Sequence, residues 1–284
     1  MIHINHTVDI SSIKDYKINA EVVDNGWEVV DISKTRQITD PCFRNVRDFT
    51  RPIDKSFHGV GHIDEAYELM RSGCPEITKT LKEFEAKINL QGESKRVNFS
   101  NQVVGFVPVV PLVLQNVPTN MVNIDVKPIK NKVLTIFYEI GASAKYEPYQ
   151  FKDGGCKLLS ALMKLEMSGY RVNLYGFASF AESYDADMLV IKLKDARQPI
   201  DLQRLSFPLA HAGFFRTITW DWYFKVPGGK FRSGFGHPLC AQFSSADLEP
   251  AFEQMFHTKC VVLGLQEIIT KGEDALKKRL TGGK

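Results

Sequence analysis

Hydrophobic and polar residues change their spacing along the chain, and each spacing predicts a different kind of element. Near the start, the segment INAEVVDNGWEVVDI places Asn25-Gly26 between two short runs rich in valine. Because Asn and Gly both tolerate positive φ angles, this dipeptide predicts a two-residue β-hairpin turn. We therefore expect the chain to begin with a hairpin.

Two amphipathic helices are predicted after this hairpin. In the first, Ile63, Ala66 and Met70 lie on one stripe. The second opens at Pro75 and repeats apolar residues at helical spacing, with polar residues between them. The polar segment NLQGESKRVNFS follows and favours a boundary, so residues 1–100 are predicted to form a hairpin and helix-pair extension.

From about residue 130, apolar strands alternate with amphipathic helices. The predicted strands are 132–140, SGYRVNLYGFAS, ADMLVIKL and KCVVLGL, and the predicted helices are 153–168, DLQRLSFPLAH and roughly 271–281. This alternation is typical of an α/β fold with a doubly wound, mostly parallel sheet covered on both faces. We assign it to residues 101–284, and we expect the proline-rich segment GFVPVVPLVLQNVPTNM to cross the core in an extended form.

The segment RTITWDWYFKVPGGKFRSGF alternates between two sets of residues, which predicts a strand with one apolar and one polar face. A turn at Gly228-Gly229 would set Lys225 opposite Arg232. Like charges that face each other across strands are unfavourable, so a bound anion would stabilise this face. Two interpretations stay open: a solvated hairpin, or a surface that contacts phosphate or RNA backbone. The residues of the polar face are Tyr223, Lys225, Lys230 and Arg232.

Candidate chemistry follows the strand 132–140, in the loop that contains Glu139, Gly141 and Ser143. Ligands of open α/β sheets bind outside the carboxyl ends of the strands, where this loop and His211 are expected to lie. A hard cation requires several oxygen ligands, and Glu139 and Ser143 could supply two. The alternative is an ordinary loop between a strand and a helix.

Composition restricts the environment of the protein more than its activity. Hydrophobic residues make up 44% of the 284 residues, charged residues 24%, and the net charge is only +3. The five scattered cysteines form no zinc-type pair, which favours free thiols in a reducing compartment. No secretory signal is evident, and the apolar run 103–114 is too short to cross a bilayer. We expect a cytoplasmic protein with no membrane association.

Sequence motifs of several enzyme classes are absent. The chain contains no H-E-x-x-H, no G-x-S-x-G and no G-x-x-x-x-G-K-[ST]. A nucleophile, a base and an orienting group cannot be assembled from the remaining residues. The sequence therefore favours a non-enzymatic binding or assembly module. The alternative is a metal-assisted hydrolase that uses Glu139 with a histidine.

Several segments carry a family resemblance over about residues 100–265. They are GFVPVVPLVLQNVPTNM, EIGASA, LLSALMKLEMSGYRVNLYG, IKLKDARQPIDLQRLSFPLAHAGFFR and GFGHP. Upstream, FHGVGHIDEAYELMRSG looks like the helix that precedes the same core. These segments resemble an uncharacterised domain family of tailed phages and bacteria. The chain is more remotely similar to von Willebrand factor A domains.

The resemblance implies a fold and an origin. It implies a von Willebrand factor A-like sheet and a phage or mobile-element source. In the metal motif D-x-S-x-S of those domains, Glu139 replaces Asp and Gly141 replaces the first Ser, so a divalent cation site here is degenerate. The implied partners are a protein at the rim formed by Glu139, Ser143 and His211, or RNA at the basic hairpin.

Overall fold

The structure is a computed structural model that describes residues 1–38, 51–87, 98–104, 107–125, 132–226 and 237–281. It contains a six-stranded sheet with helices on both faces, and a separate three-stranded sheet. The predicted α/β class is therefore confirmed. The strands of the large sheet are β1 (Ile2–Ile10), β2 (Ile13–Val23), β6 (Lys132–Glu139), β7 (Tyr170–Ala181), β8 (Asp185–Lys194) and β9 (Val261–Gly264).

Strand direction in the large sheet is mixed. The strand order is β1-β2-β8-β7-β6-β9; β2 runs parallel to β8, and β6 runs parallel to both β7 and β9. The β1–β2 and β7–β8 pairs are antiparallel. Only residues 182–184 join β7 to β8, and a parallel crossover would require about a dozen residues. The carboxyl ends of the strands therefore do not all lie together, as the predicted doubly wound, mostly parallel sheet would require.

The two faces of the sheet carry separate cores. Ile136 and Tyr138 of β6 pack into one core together with side chains of the helices that follow β2, β6 and β8. Phe137 points to the opposite face and packs with Phe252. This alternation is the ordinary period of a strand that is buried on both sides. The predicted cover on both faces is thus present.

Helices surround this sheet, and three of them, which start at Ile63, Pro75 and Leu202, begin close to their predicted positions. Helix α6 (Pro148–Met167) begins five residues earlier than expected, because Pro148 starts it and Glu147 and Gln150 form a capping box. The helices are α1 (Gly26–Thr35), α2 (Lys55–His58), α3 (Ile63–Ser72), α4 (Pro75–Lys87), α5 (Val110–Leu114), α6 (Pro148–Met167), α7 (Leu202–Ala210), α8 (Trp220–Phe224), α9 (Leu239–Gln242), α10 (Ser245–Phe256) and α11 (Leu265–Thr281), the last kinked at Gly272.

The hairpin predicted at Asn25-Gly26 is wrong. The Asn25 side chain accepts hydrogen bonds from the backbone N–H groups of Trp27 and Glu28, at 2.9 and 3.2 Å, and so caps α1. Asn is favoured both at such caps and in hairpin turns, and here the cap is formed. The first hairpin instead turns at Ser11 and Ser12, between β1 and β2. The predicted extension of residues 1–100 therefore shares its sheet with β8.

The strand predicted in RTITWDWYFKV is also wrong. This segment forms a π-helix (Phe214–Thr219) that continues into α8. Trp222 and Tyr223 belonged to opposite faces of the predicted strand, yet both are completely buried. A segment that is buried all round has no exposed face, so its alternation does not identify its secondary structure. Gly228, Gly229, Lys230 and Arg232 lie outside the described residues.

The proline-rich segment does not cross the core in its described part. It contributes to a small antiparallel sheet of β3 (Asn98–Gln102), β4 (Val107–Pro108) and β5 (Met121–Asp125), in the order β3-β5-β4. Several of its large apolar side chains are exposed to solvent. We call residues 98–125, as far as they are described, the apolar arm.

Close packing of α6 on α7 requires a glycine at position 155. A Cβ atom there would lie 2.3 Å from the Leu209 carbonyl oxygen and 2.4 Å from the Ala210 Cα. We predict that Gly155→Ala lowers the free energy of unfolding by on the order of 1–3 kcal/mol, despite the higher helix propensity of Ala. Urea unfolding measures the change.

Gly61→Ala is the matched control for this substitution. Its Cβ would meet no atom closer than 3.6 Å, so the variant should stay within roughly 0.5 kcal/mol of the wild type. Equal unfolding midpoints for Gly155→Ala and the wild type would contradict the packing described for α6 and α7.

Candidate functional site

The carboxyl end of β6 places Glu139 inside the protein. Glu139 pairs with Phe177 of β7 on one side and with Gly264 of β9 on the other. The alternation along β6 directs its side chain to the same face as Phe137. Glu139 has no exposed surface, so its carboxylate cannot be reached from solvent in this structure.

Two backbone N–H groups and one hydroxyl donate hydrogen bonds to the Glu139 carboxylate. The Ser179 hydroxyl and the Leu239 N–H donate to Oε1, the latter at 2.9 Å. The Cys240 N–H donates to Oε2 at 2.7 Å. The Leu239 N–H also lies 2.8 Å from the Ser179 hydroxyl oxygen, and His237 forms a backbone bridge with Ala181. Glu139 thus fastens the start of α9 to the ends of β6 and β7.

Burial raises the pKa of Glu139 to about 7, because the ionised form loses its contact with water. Hydrogen bonds from Ser179, Cys240 and Leu239 act in the opposite direction and favour the charged form. The same N–H donors point at both oxygens, in the positions that a cation would occupy. This arrangement suits a structural carboxylate more than a metal ligand.

The other members of the predicted cation site are also used within the fold. A Cβ atom at Gly141 would lie 2.8 Å from the Phe215 ring, so the ring fills the space of a Ser side chain. Ser143 is half-buried, and its carbonyl oxygen accepts from the Tyr146 N–H at 3.1 Å. In the described part of the chain, no group of three or more His, Cys, Asp or Glu residues could hold a metal ion.

Arg216 holds the loop that follows Glu139. Its guanidinium donates to the carbonyl oxygens of Tyr146 and Ala144, and to that of Phe57 at 2.6 Å. It lies 4.0 Å from the centre of the Phe57 ring and 4.9 Å from that of Phe151, within the range of cation–π contacts. Burial lowers the pKa of Arg216 to about 10, so the side chain still carries its charge at neutral pH. The loop is thereby fixed to the π-helix.

His211 ends α7 and forms neither a hydrogen bond nor an ion pair with Glu139 or Ser143 among the described residues. Its Nδ1 accepts from the Gly213 N–H at 3.0 Å, and its ring packs against Gly59. Burial lowers the pKa of His211 to about 4, so the ring is neutral at pH 7. The three predicted rim residues do not converge on one exposed site.

The two described residues of the predicted nucleic-acid surface are engaged inside the protein. The Tyr223 ring is buried and stacks on Phe180, with centroids 4.1 Å apart. The Lys225 ammonium donates to the Asp221 carboxylate at 2.8 Å and to the carbonyl oxygen of Ser33. Neither offers an exposed stacking or phosphate-binding group. Lys230 and Arg232 lie outside the described residues.

Sequence reasoning missed Ser179 and Arg216, on which the geometry of this region depends. Arg216 stands in a long apolar run, and a cation in such a run is a signal of a buried role. Ser179 carries no comparable signal, since its partner Glu139 is 40 residues away in the sequence. The backbone donors at 239 and 240 are not readable from residue types at all.

Comparisons with known proteins place the chain in a family without an assigned activity. A family model described as a domain of unknown function, DUF7192, matches residues 15–265. Searches of curated proteins and of solved structures found no match. Within the described ranges, no helix has the length and apolar character needed to span a bilayer.

The raised pKa of Glu139 predicts a pH dependence of stability. The folded value of about 7 exceeds the ordinary value of 4.5, so this group favours folding most below pH 4.5. That contribution is lost as the pH rises from 4.5 to 7. The wild type should therefore lose on the order of 3 kcal/mol relative to Glu139→Gln across this window.

Urea unfolding of both proteins at several pH values measures this difference. The Gln side chain keeps the size of Glu and one acceptor oxygen, but it does not titrate. Unfolding free energies that stay parallel for the two proteins from pH 4.5 to 7 would show that Glu139 has an ordinary pKa.

Proposed function

The chain belongs to the family of the domain of unknown function DUF7192, and we propose that it is a non-enzymatic binding or assembly module whose partner is a protein. The observation that carries this proposal is the exposed apolar surface of the apolar arm. Proteins rarely expose large apolar patches unless these contact a partner.

The exposed side chains are concentrated in a short stretch of the arm. Val104 is 77% exposed and Leu114 is 79% exposed. The large apolar residues exposed between 103 and 114 are Val103, Val104, Val107, Val110, Val113 and Leu114. Burying one such side chain in a partner contributes roughly 1.5–3 kcal/mol, so a few of them would supply substantial affinity.

The backbone of the arm adds a second means of contact. Among the described residues, β3 and β4 each pair only with β5, so both are edge strands of the small sheet. An edge strand presents backbone N–H and C=O groups that can accept a strand of another chain. The arm therefore suits a protein partner that supplies both an apolar surface and an extended segment.

The alternative of a metal-assisted hydrolase receives no support from Glu139. Its carboxylate is buried and already accepts from two backbone N–H groups and a hydroxyl. A general base or a metal ligand must reach its proton or its ion. We therefore place the partner contact on the arm instead of the rim of Glu139, Ser143 and His211.

Further parts of the proposal come from the sequence. The order β8-β7-β6-β9, with α6 between the parallel strands β6 and β7, supports a core like that of von Willebrand factor A domains. The phage or mobile-element origin follows from the resemblance alone. The free cysteines at positions 74, 156, 240 and 260 support a reducing, cytoplasmic location.

The arm can be tested by introducing charge into its apolar surface. We predict that Val104→Asp combined with Leu114→Asp abolishes co-purification of the partner from the native host, because a carboxylate cannot be buried in an apolar contact without a large desolvation penalty. Both side chains are exposed, so the variant should unfold at the wild-type urea concentration. Affinity for the identified partner is then measured with purified proteins.

Val133→Asp is the matched control, because Val133 is an exposed valine on β6, outside the arm. It should keep the wild-type affinity. Equal affinity of the arm variant and the wild type would place the contact elsewhere. Recovery of nucleic acid and no protein would favour RNA as the partner and contradict the proposal.

A further inference from the structure

A second accessible site lies at the carboxyl ends of the parallel strands β2 and β8, at the end of the large sheet opposite Glu139. It is a cleft of about 350 Å³, formed by the residue after β2 and by the end of β8 with the loop and helix that follow. Ligands of α/β proteins bind outside the carboxyl ends of parallel strands, and this cleft occupies such a place. The charged residues that line it are Asp24, Lys192, Lys194, Asp195, Arg197 and Arg204.

Both lysines of the cleft are held by partners and build its wall. Lys192 pairs with Asp195 at 2.8 Å. Lys194 is only 3% exposed; it pairs with Glu166 at 2.5 Å and also donates to the Val172 and Asp195 carbonyl oxygens. Its three donor hydrogens are thus used within the protein. The lysines fix the end of β8, and they leave ligand binding to the two arginines.

Arg197 and Arg204 are different, because both residues are exposed. In the described structure neither group forms an ion pair or a side-chain hydrogen bond. Their backbones are nevertheless fixed: the Arg197 N–H donates to Asp195 at 2.9 Å, and the Arg204 N–H donates to the α7 cap Asp201 at 3.1 Å. Arg204 also lies in the first turn of α7, where the helix dipole favours a negative charge.

We propose that this cleft binds a phosphate group, carried by a small phosphate monoester. Four cations and two carboxylates line it, and with Glu166, the partner of Lys194, the formal charge is +1, which favours an anion. Two guanidinium groups can donate paired hydrogen bonds to phosphate oxygens, which a lysine cannot do. The volume exceeds that of a phosphate ion and lies within the range of small-molecule sites.

The test is calorimetric titration of the full chain with inorganic phosphate and, separately, with adenosine monophosphate. We expect the variant Arg197→Ala/Arg204→Ala to bind both probes at least tenfold more weakly than the wild type. Tighter binding of the nucleotide than of phosphate would show that the ester contributes contacts. The wild-type affinity should fall as sodium chloride is raised, because the contact is ionic.

Lys14→Ala/Lys17→Ala is the matched control, since it removes two exposed cations at the amino end of β2, on the other edge of the sheet. It should bind both probes as the wild type does. Equal binding by the wild type and the arginine variant, or no binding of either probe by the wild type, would overturn the proposal. The arm variant Val104→Asp/Leu114→Asp should bind phosphate normally, so the two proposals fail separately.

Discussion

The buried carboxylate of Glu139 is the interaction on which the arrangement of the sheet edge depends. It joins three parts of the chain that are far apart in sequence: the end of β6, Ser179 of β7, and the backbone at Leu239 and Cys240. A buried carboxylate is costly unless its oxygens accept hydrogen bonds, and here they accept three. The segment before α10 therefore covers the carboxyl ends of β6 and β7. Arg216 holds the loop that follows β6 by donating to the Tyr146 carbonyl oxygen.

Strand direction decides where the protein remains open. Because β8 is antiparallel to β7, the carboxyl ends of β6, β7 and β9 lie at one end of the sheet, and those of β2 and β8 lie at the opposite end. At the first of these ends, side chains and backbone groups of the protein fill the space beyond the strands. The second carries the cleft with Arg197 and Arg204, and the apolar arm presents a third surface. This mixed topology separates the filled carboxyl ends of β6, β7 and β9 from the cleft at the carboxyl ends of β2 and β8.

Much of the fold is readable from the sequence, because amphipathic helices and short apolar strands have distinct patterns. Helices α3, α4 and α7 and the strands β6 to β9 follow the expected patterns. The two failures have different causes. Asn25 is favoured in two structures that residue type alone does not separate, and the run around Trp222 is buried on every side, so its period carries no information.

The site was less predictable than the fold for a related reason. The position of Glu139 at a strand end was correctly expected, but its meaning depends on backbone donors a hundred residues further along the chain. Asp221 likewise owes its burial to Ser33 and Lys225, a combination that only the folded chain assembles. Long-range hydrogen bonds decide whether a carboxylate at a strand end is free to bind a metal ion or instead holds neighbouring segments of the chain together.

The most direct test of this account is amide hydrogen exchange at Leu239 and Cys240, measured residue by residue by NMR at neutral pH. These amides begin a helix of four residues, where exchange is fast unless a side chain accepts the hydrogen bond. If Glu139 accepts them, both should exchange as slowly as amides of the β6 strand. Exchange at the rate of an exposed loop would contradict the hydrogen bonds from these amides to the Glu139 carboxylate.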